Sequence, residues 1–491
     1  MLLRKGSQPR KLRLALVTSV FIALVLFSRH HSAISSTIPA SRSVPATHAC
    51  QKPPLGDDVL VVLRTGATEA LEKLPVHFET ILTCISDYVI YSDMEEDIEG
   101  NHVYDVLDQV NDTIKATVPE FKLYNHLRTS GRRGLNYQTM FGSGPSGALE
   151  NPGWKLDKWK FLPMVDRALQ HRPNAKWFVF VESDTYMIWH NMLEYLSRFD
   201  SSRPHYLGKH MYIGDVLFAH GGSGFALSNP ALRKVTGYWR EHRDQFDQYT
   251  EKEWAGDMIL GRALKDVGVD MRWVFPHLQG DSLTTLDWNV SKLGREPWCY
   301  APITFHHMNR VEFNMLWSFE QEWHHRNRGF ATLRFRDIFK SLVRPRLQPA
   351  REDWDNISTG AEYSDEALAR FPDSDVEWSG LSAEEREAHV SLDRCRAACE
   401  SRPLCIQFSY TSGKCSTSNE LRLGHAADSQ CLEYSNAAGK CIKSGAAEGE
   451  DNVTAKRTSS VRSGWVMSRV SDYVKSLDQS CDIPEGNDWV K

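Results

Sequence analysis

Apolar residues follow two rhythms through the first two thirds of this chain. VLVVLRTG, DYVIYSD and WFVFVESD are nearly continuous β-branched and aromatic runs that stop at polar residues, the texture of buried strands. Between them, residues 69–84 and 156–169 place apolar side chains at helical spacing. Further on, HYLGKH and DVLFAHGGSGFALS read as strands, residues 230–242 and 253–267 as helices, and MRWVFP and APITFHH as late strands. Residues 121–153 are polar and glycine-rich and read as loop. Strand, helix, strand in that order predicts an α/β fold: a mostly parallel, Rossmann-like sheet with helices on both faces.

The rhythm breaks at the N-terminus. Arg4, Lys5, Arg10, Lys11 and Arg13 precede an apolar run that ends at Phe27. The run is short against the ~20 residues a bilayer core asks for, but early secretory membranes are thinner and take short anchors. Positive charge ahead of it holds the N-terminus in the cytosol. A cleaved signal peptide shares this layout, yet residues 28–36 offer no clean cleavage site. The expectation is a cytosolic tail over 1–13, a transmembrane signal anchor over 14–28, a flexible Ser/Pro-rich stem over 29–56, and a lumenal body. This is a single-pass type II protein of Golgi or endoplasmic reticulum membrane.

Composition agrees with a lumenal body. Of ten cysteines, seven lie from Cys395 onward, a density that reads as disulfides in an oxidising compartment. Zinc at Cys395 and Cys399 would need histidines at finger spacing, and none sits there. Glycosylation triplets occur at Asn111, Asn289, Asn356 and Asn452. Net charge is −5 with no basic block in the body, which excludes nucleic acid as a partner.

Candidate chemistry gathers where strands end. Glu182 and Asp184 are two residues apart at the end of an apolar strand, so both can point to one face. Hard oxygens there suit Mg²⁺ or Mn²⁺, and the simpler alternative is an acidic turn. Ligands of open α/β sheets collect at the carboxyl ends of strands. Thr65, Asp93 and the pair His306–His307 end other strands. Either histidine could join the carboxylates on a cation, or serve only as a hydrogen-bonding group. Gly221, Gly222, Ser223 and Gly224 lack dinucleotide-loop or P-loop spacing, so they are a tight turn or a close approach to ligand. Asp257 near a helix start is a dipole-stabilised cap or a general base.

Taken in order, TGATEALEKLPVHFETIL, VIYSD, WKLDKWKFLPM, WFVFVESDTY, HGGSGFALS, GDMILGRAL and TFHHM resemble glycosyltransferase family 31, and most of all fungal relatives of core 1 β-1,3-galactosyltransferases. The resemblance covers residues 57–330. It implies a GT-A fold, a UDP-sugar donor, Mn²⁺, and inverting transfer of a hexose, galactose foremost, to a glycoprotein glycan such as O-linked N-acetylgalactosamine. Asp184 then matches the second acid of the family's Asp-x-Asp metal motif, with Glu182 a departure at the first. His306 matches the third metal ligand. Thr65, Asp93, Ser183 and Lys158 fall in the donor set, with Lys158 near the lysine that meets the diphosphate. Gly221 to Gly224 match the loop lining the reaction centre, and Phe218 stands where core 1 enzymes often have Tyr. Asp257 matches the proposed base, while Gly256 replaces the preceding Glu, an acceptor contact.

Beyond a transferase domain over 57–345, residues 346–385 turn polar and acidic and read as linker. DRCRAACESRPLCIQFSYTSGKC, within 386–445, resembles a PAN/apple module, a small disulfide-rich α+β unit that binds carbohydrate or protein. Residues 446–491 read as a weakly patterned tail that Cys481 could tie down. The competing function is a non-catalytic, lectin-like glycan-binding protein, which the Glu182 and Gly256 departures keep open. A homodimer is compatible with either.

Overall fold

The computed structural model describes residues 50, 54–133, 135, 151–292, 294–327, 331–364, 366, 380–427, 431–435, 440–444, 461–481 and 488–490. The anchor, most of the stem and Asn452 lie outside these residues. Among the described residues no helix is long and apolar enough to cross a membrane.

An eight-stranded sheet forms the centre, in the order β11-β7-β10-β5-β1-β2-β4-β3. Its strands are β1 Val59–Arg64, β2 Tyr88–Ser92, β3 Glu96–Ile98, β4 Asn101–Asp105, β5 Trp177–Glu182, β7 Tyr206–Gly208, β10 Phe225–Ser228 and β11 Met271–Trp273. β5, β1, β2 and β4 run parallel, while β10 and β3 run against their neighbours. The sheet is thus mixed, with a parallel centre. Two short ladders stand beside it: β6 Tyr186–Met187 with β12 Thr304–Phe305, and the hairpin of β8 His210–Ile213 and β9 Val216–Ala219.

Both faces of β1 are covered, which is why its sequence is apolar at every position. Val59, Val61 and Leu63 join one core with α1 Ala70–Glu79, α3 Trp189–Leu196 and α6 Arg310–Arg326. Leu60 and Val62 join another with α2 Pro152–His171, α4 Asn229–Glu241 and α5 Gly256–Asp266. Alternate residues of one strand therefore feed opposite layers.

Three expectations about organisation are corrected. A helix at Phe121–Ser130 occupies the start of the stretch read as loop, burying Phe121, Leu123, Tyr124 and Leu127 along one side. The stretch read as linker supplies Arg351–Glu352 and Ala361–Ser364 to a five-stranded antiparallel sheet with Gln407–Thr411, Lys414–Ser418 and Arg462–Trp465. The last of these strands, and a helix at Met467–Ser480, come from the stretch read as tail. Strands of two to five residues carry too little alternation to see, and their partners lie far away in sequence.

The cysteines hold this C-terminal part together and to the transferase part. Cys395–Cys415 and Cys399–Cys405 pin the helix Leu392–Ser401 beside the hairpin, which removes the zinc alternative. Cys50 bonds Cys84, and Cys299 bonds Cys481. Val470, Val474 and Leu477 of the last helix share the core of α1, α3 and α6. Residues 488–490 are likewise enclosed. The Asp488 carbonyl accepts from the Ala301 N–H at 3.1 Å, Val490 N–H donates to Nε2 of buried His277 at 2.9 Å, and Trp489 Nε1 donates to Glu194 at 2.9 Å.

Candidate functional site

Strands β1 and β5 pair in register, with Arg64 opposite Glu182 at their carboxyl ends. The Arg64 guanidinium bonds Glu182 Oε1, meets Asp157 Oδ2 at 2.8 Å and lies 4.4 Å over the Phe161 ring. Burial works against ionisation of Glu182, but Arg64 and His306 together outweigh it and bring the carboxyl down to about 2. One of its oxygens is therefore committed to an arginine. The other lies 3.6 Å from Nε2 of His306.

Asp184 has a different environment. Its Oδ1 is 3.2 Å from His306 Nε2, and its Oδ2 is 3.0 Å from Lys73 Nζ and 3.7 Å from His307 Nδ1. Burial opposes its charge, yet His306 and Lys73 hold the carboxyl well below the usual range. His306 is 4 % exposed; burial resists its protonation, but Asp184 and Glu182 together override this and raise it to about 9. Ligand atoms of Asp184, His306 and His307 all lie within 4.8 Å of one another. One carboxylate and two imidazoles form a mixed oxygen and nitrogen donor set that a divalent first-row cation can take. His306 Nδ1 is also buried without a hydrogen-bond partner among the described residues. The residues present fit a divalent cation.

The glycine loop is built around His306. A Cβ on Gly222 would sit 2.1 Å from His306 Cε1, so only glycine allows this approach. Gly224 has φ +75° and its N–H closes a turn on the Gly221 carbonyl at 3.0 Å. Ser223 offers its carbonyl to Thr304 Oγ1 at 2.6 Å, and its hydroxyl meets His220 Nδ1 at 2.8 Å. Gly221 N–H donates to Asp257 Oδ2 at 2.9 Å. The loop thus joins Asp257 and His306 through adjacent residues.

Asp257 stands in the first turn of α5, where its Oδ1 accepts from the Met258 N–H at 2.9 Å. Burial raises its pKa, with the Gly221 hydrogen bond and Arg64 pulling the other way. The helix is capped at Ala255 rather than by Asp257, whose carboxylate sits in the first turn where burial makes it more basic. Gly256 has a packing cause. A Cβ there would lie 2.4 Å from Phe161 Cδ2 and 2.7 Å from Lys158 Cα, because α5 starts against the backbone of α2. No glutamate fits at 256 without moving that helix. Phe218 is buried beneath α5, where Gly261 leaves room for it.

Other expected residues divide. Thr65 and Ser183 share a 3.2 Å hydrogen bond at adjacent strand ends. Asp93 is fully buried, accepts from Ala67 N–H at 2.7 Å and pairs with Lys160 Nζ at 3.2 Å. Lys158 is not brought to them. Its ammonium turns to Glu120 at 3.0 Å and to the carbonyls of Glu251 and Glu253. Successive helical positions are rotated by about 100°, so Asp157 and Lys160 face the strand ends when Lys158 does not. Lys73, from the helix after β1, is the lysine beside Asp184. Neither Lys73 nor His220 stood out in sequence; each is a lone polar residue in an otherwise ordinary element.

Among the glycosylation triplets, Asn111 is exposed and caps a short helix. Asn289 is half-buried and gives its amide to the Asn419 carbonyl at 2.8 Å. Asn356 is corrected: it is 0 % exposed, and its amide nitrogen donates to the carbonyls of Phe408 and Gly464. That nitrogen is the atom a glycan would need, so the folded protein has no acceptor there.

A mixed sheet of this order, with an acid-x-acid turn, a late histidine and a glycine loop at its carboxyl edge, defines a GT-A glycosyltransferase. The family model described as Fringe-like matches residues 56–320, and the chain belongs to that family of glycosyltransferases, within glycosyltransferase family 31.

Proposed function

We propose that this protein is an inverting, UDP-sugar-dependent hexosyltransferase of the secretory pathway, anchored by its N-terminal apolar run. Galactose is the donor sugar we favour, transferred in β-1,3 linkage to a glycoprotein glycan such as O-linked N-acetylgalactosamine. The observation that carries the reading is the loop Gly221–Gly224. It touches Asp257 through one N–H and His306 through the missing side chain of Gly222. A base and a cation-binding set thereby face one space.

Asp184 and His306, with His307 beside them, would hold Mn²⁺; bound there, the ion supplies positive charge for a departing diphosphate. Glu182 acts through the Arg64 guanidinium and the His306 imidazole, which it helps to position. Thr65 and Ser183, hydrogen-bonded at adjacent strand ends, are the residues we assign to the nucleotide, with Asp93 held behind them by Lys160. Asp257 takes the proton of the acceptor hydroxyl as its oxygen bonds to the anomeric carbon. The bond from that carbon to the UDP oxygen breaks on the opposite face, which inverts the centre. Raised basicity from burial favours this proton transfer.

The test is UDP release by the full chain with Mn²⁺, a panel of UDP-sugars and N-acetylgalactosaminyl peptide. Mn²⁺-dependent, acceptor-dependent release supports the reading. Glycan binding with no release from any donor would support the lectin-like alternative and defeat it.

A further inference from the structure

Cations around the cleft are matched with acceptors. Arg64 has Asp157 and Glu182, Lys73 has Glu69 and Asp184, and fully buried Lys160 has Asp93, Asp157 and the Thr65 carbonyl. Lys209 is different. It follows β7 where the β8–β9 hairpin leaves the sheet, and its carbonyl accepts from the His220 N–H at 2.8 Å. The hairpin base therefore sets Lys209 across from the start of the glycine loop. Its ammonium lies over Gly280: a Cβ there would be 2.2 Å from Lys209 Nζ and 3.3 Å from Ser223 Oγ. The next residue, Asp281, accepts the His306 N–H through its carbonyl at 3.2 Å.

This half-buried ammonium has no hydrogen bond or ion pair among the described residues. Burial lowers its pKa; the charge of Asp281 opposes that, and the charge of Lys292 adds to it. Three N–H donors beside a reaction-centre loop, with no protein hydrogen bond among the described residues, are open to water or to a ligand's acceptors. Sugar hydroxyls could satisfy the donors but would leave the charge. A carboxylate or sulfate would satisfy both.

We propose that Lys209 is a specificity-determining substrate contact, receiving an anionic substituent, carboxylate or sulfate, of a sugar bound against Gly221–Gly224. This rests on the transferase reading of the same cleft. The anion can belong to the donor, as in UDP-glucuronate, or to the acceptor glycan.

The experiment compares the full chain with its Lys209→Met and Lys209→Arg variants. It measures kcat/KM for UDP-galactose and UDP-glucuronate, each with neutral acceptors and with uronate- or sulfate-bearing ones, and UDP affinity by calorimetry. The parent should prefer one charged substrate over its neutral counterpart. Lys209→Met should cut that preference about 10- to 100-fold, the worth of a charged hydrogen bond, and Lys209→Arg should retain most of it. The donor and acceptor arms show which sugar carries the anion. Equal losses on charged and neutral substrates, or no preference in the parent, would overturn the proposal. So would a loss of affinity for UDP alone that accounts for the whole effect, since the ammonium would then serve the diphosphate. Should no donor be turned over, the transferase reading falls separately. Calorimetric binding of uronate-bearing against neutral glycans to the same three proteins then decides Lys209.

Discussion

Adding one methyl group at Gly222 should disable the site while the fold survives. In Gly222→Ala the new Cβ would lie 2.1 Å from His306 Cε1, 2.4 Å from Nε2 and 2.7 Å from Nδ1. Reaching even 3.0 Å requires the ring to retreat by 3.0 − 2.1 = 0.9 Å. Its retreat is obstructed: His307 lies tilted against it at 3.7 Å between centroids, and His220 stands 5.5 Å away edge-on. Overpacking of this kind costs about 1–3 kcal/mol. A displacement of about 1 Å at a positioned group can cost about 10²-fold in rate. UDP release across a Mn²⁺ titration, with thermal melting on the same preparations, reads both quantities. Gly237→Ala is the control, since nothing lies within 4 Å of a Cβ there, mid-helix in α4. That change should be neutral or stabilising by up to about 1 kcal/mol. A Gly222→Ala protein with parental Mn²⁺ dependence and a rate within about threefold of the parent, far short of the loss expected from misplacement, would refute the close approach of loop and histidine.

Asp184→Ala should abolish Mn²⁺-dependent transfer in a protein that still melts cooperatively; near-normal turnover would remove Asp184 from the cation set. Asp257→Asn should lower kcat by about 10²–10⁴-fold, the usual range for a general base, with UDP affinity little changed. Because burial raises the Asp257 pKa, the parent's rate should fall on the acid side at a pH above the ordinary aspartate range. His277 is buried and its pKa is pushed down to about 4 by desolvation, with its hydrogen bond to Ala301 pulling the other way. The unfolded chain takes up a proton below about 6.5 and the folded one does not, so stability is lost as pH falls through that window. His277→Gln should flatten the stability slope between pH 6 and 5 by about 1.4 kcal/mol per pH unit at most, and an unchanged slope would count against the burial. Finally, glycopeptide mapping of protein from a eukaryotic host should find Asn111 occupied and Asn356 bare; a glycan on Asn356 would contradict its enclosure.

Much of the transferase fold was legible because its strands are apolar on both faces and its helices on one. The helix at Phe121–Ser130 escaped because its exposed side is polar and its glycine neighbour, Gly131, dominates the local texture. Sequence placed Asp184, His306, the glycine loop and Asp257 in one order, and the fold sets His306 against both Asp184 and the loop, with Asp257 on the loop's first N–H. Lys158 shows the limit of linear alignment: a shift of one or two residues on a helix turns a side chain from the strand ends to the opposite side. The reason for Gly256 lies in the backbone of Lys158, almost a hundred residues earlier, and no local pattern reports it. Lys209 was equally invisible, since a lysine after a short strand has nothing unusual until its surroundings are known.

Residues 488–490 have a consequence for synthesis. The Val490 N–H that reaches His277 closes a bond spanning 213 positions, and Asp488 does the same for Ala301. As the chain is synthesised from its N-terminus, the segment around His277 and Ala301 emerges long before its partners. It must wait, incompletely packed, while the disulfide-rich part is made. Cys299 waits equally for Cys481. The transferase half therefore completes its packing only with the arrival of the chain's last helix and the residues after it.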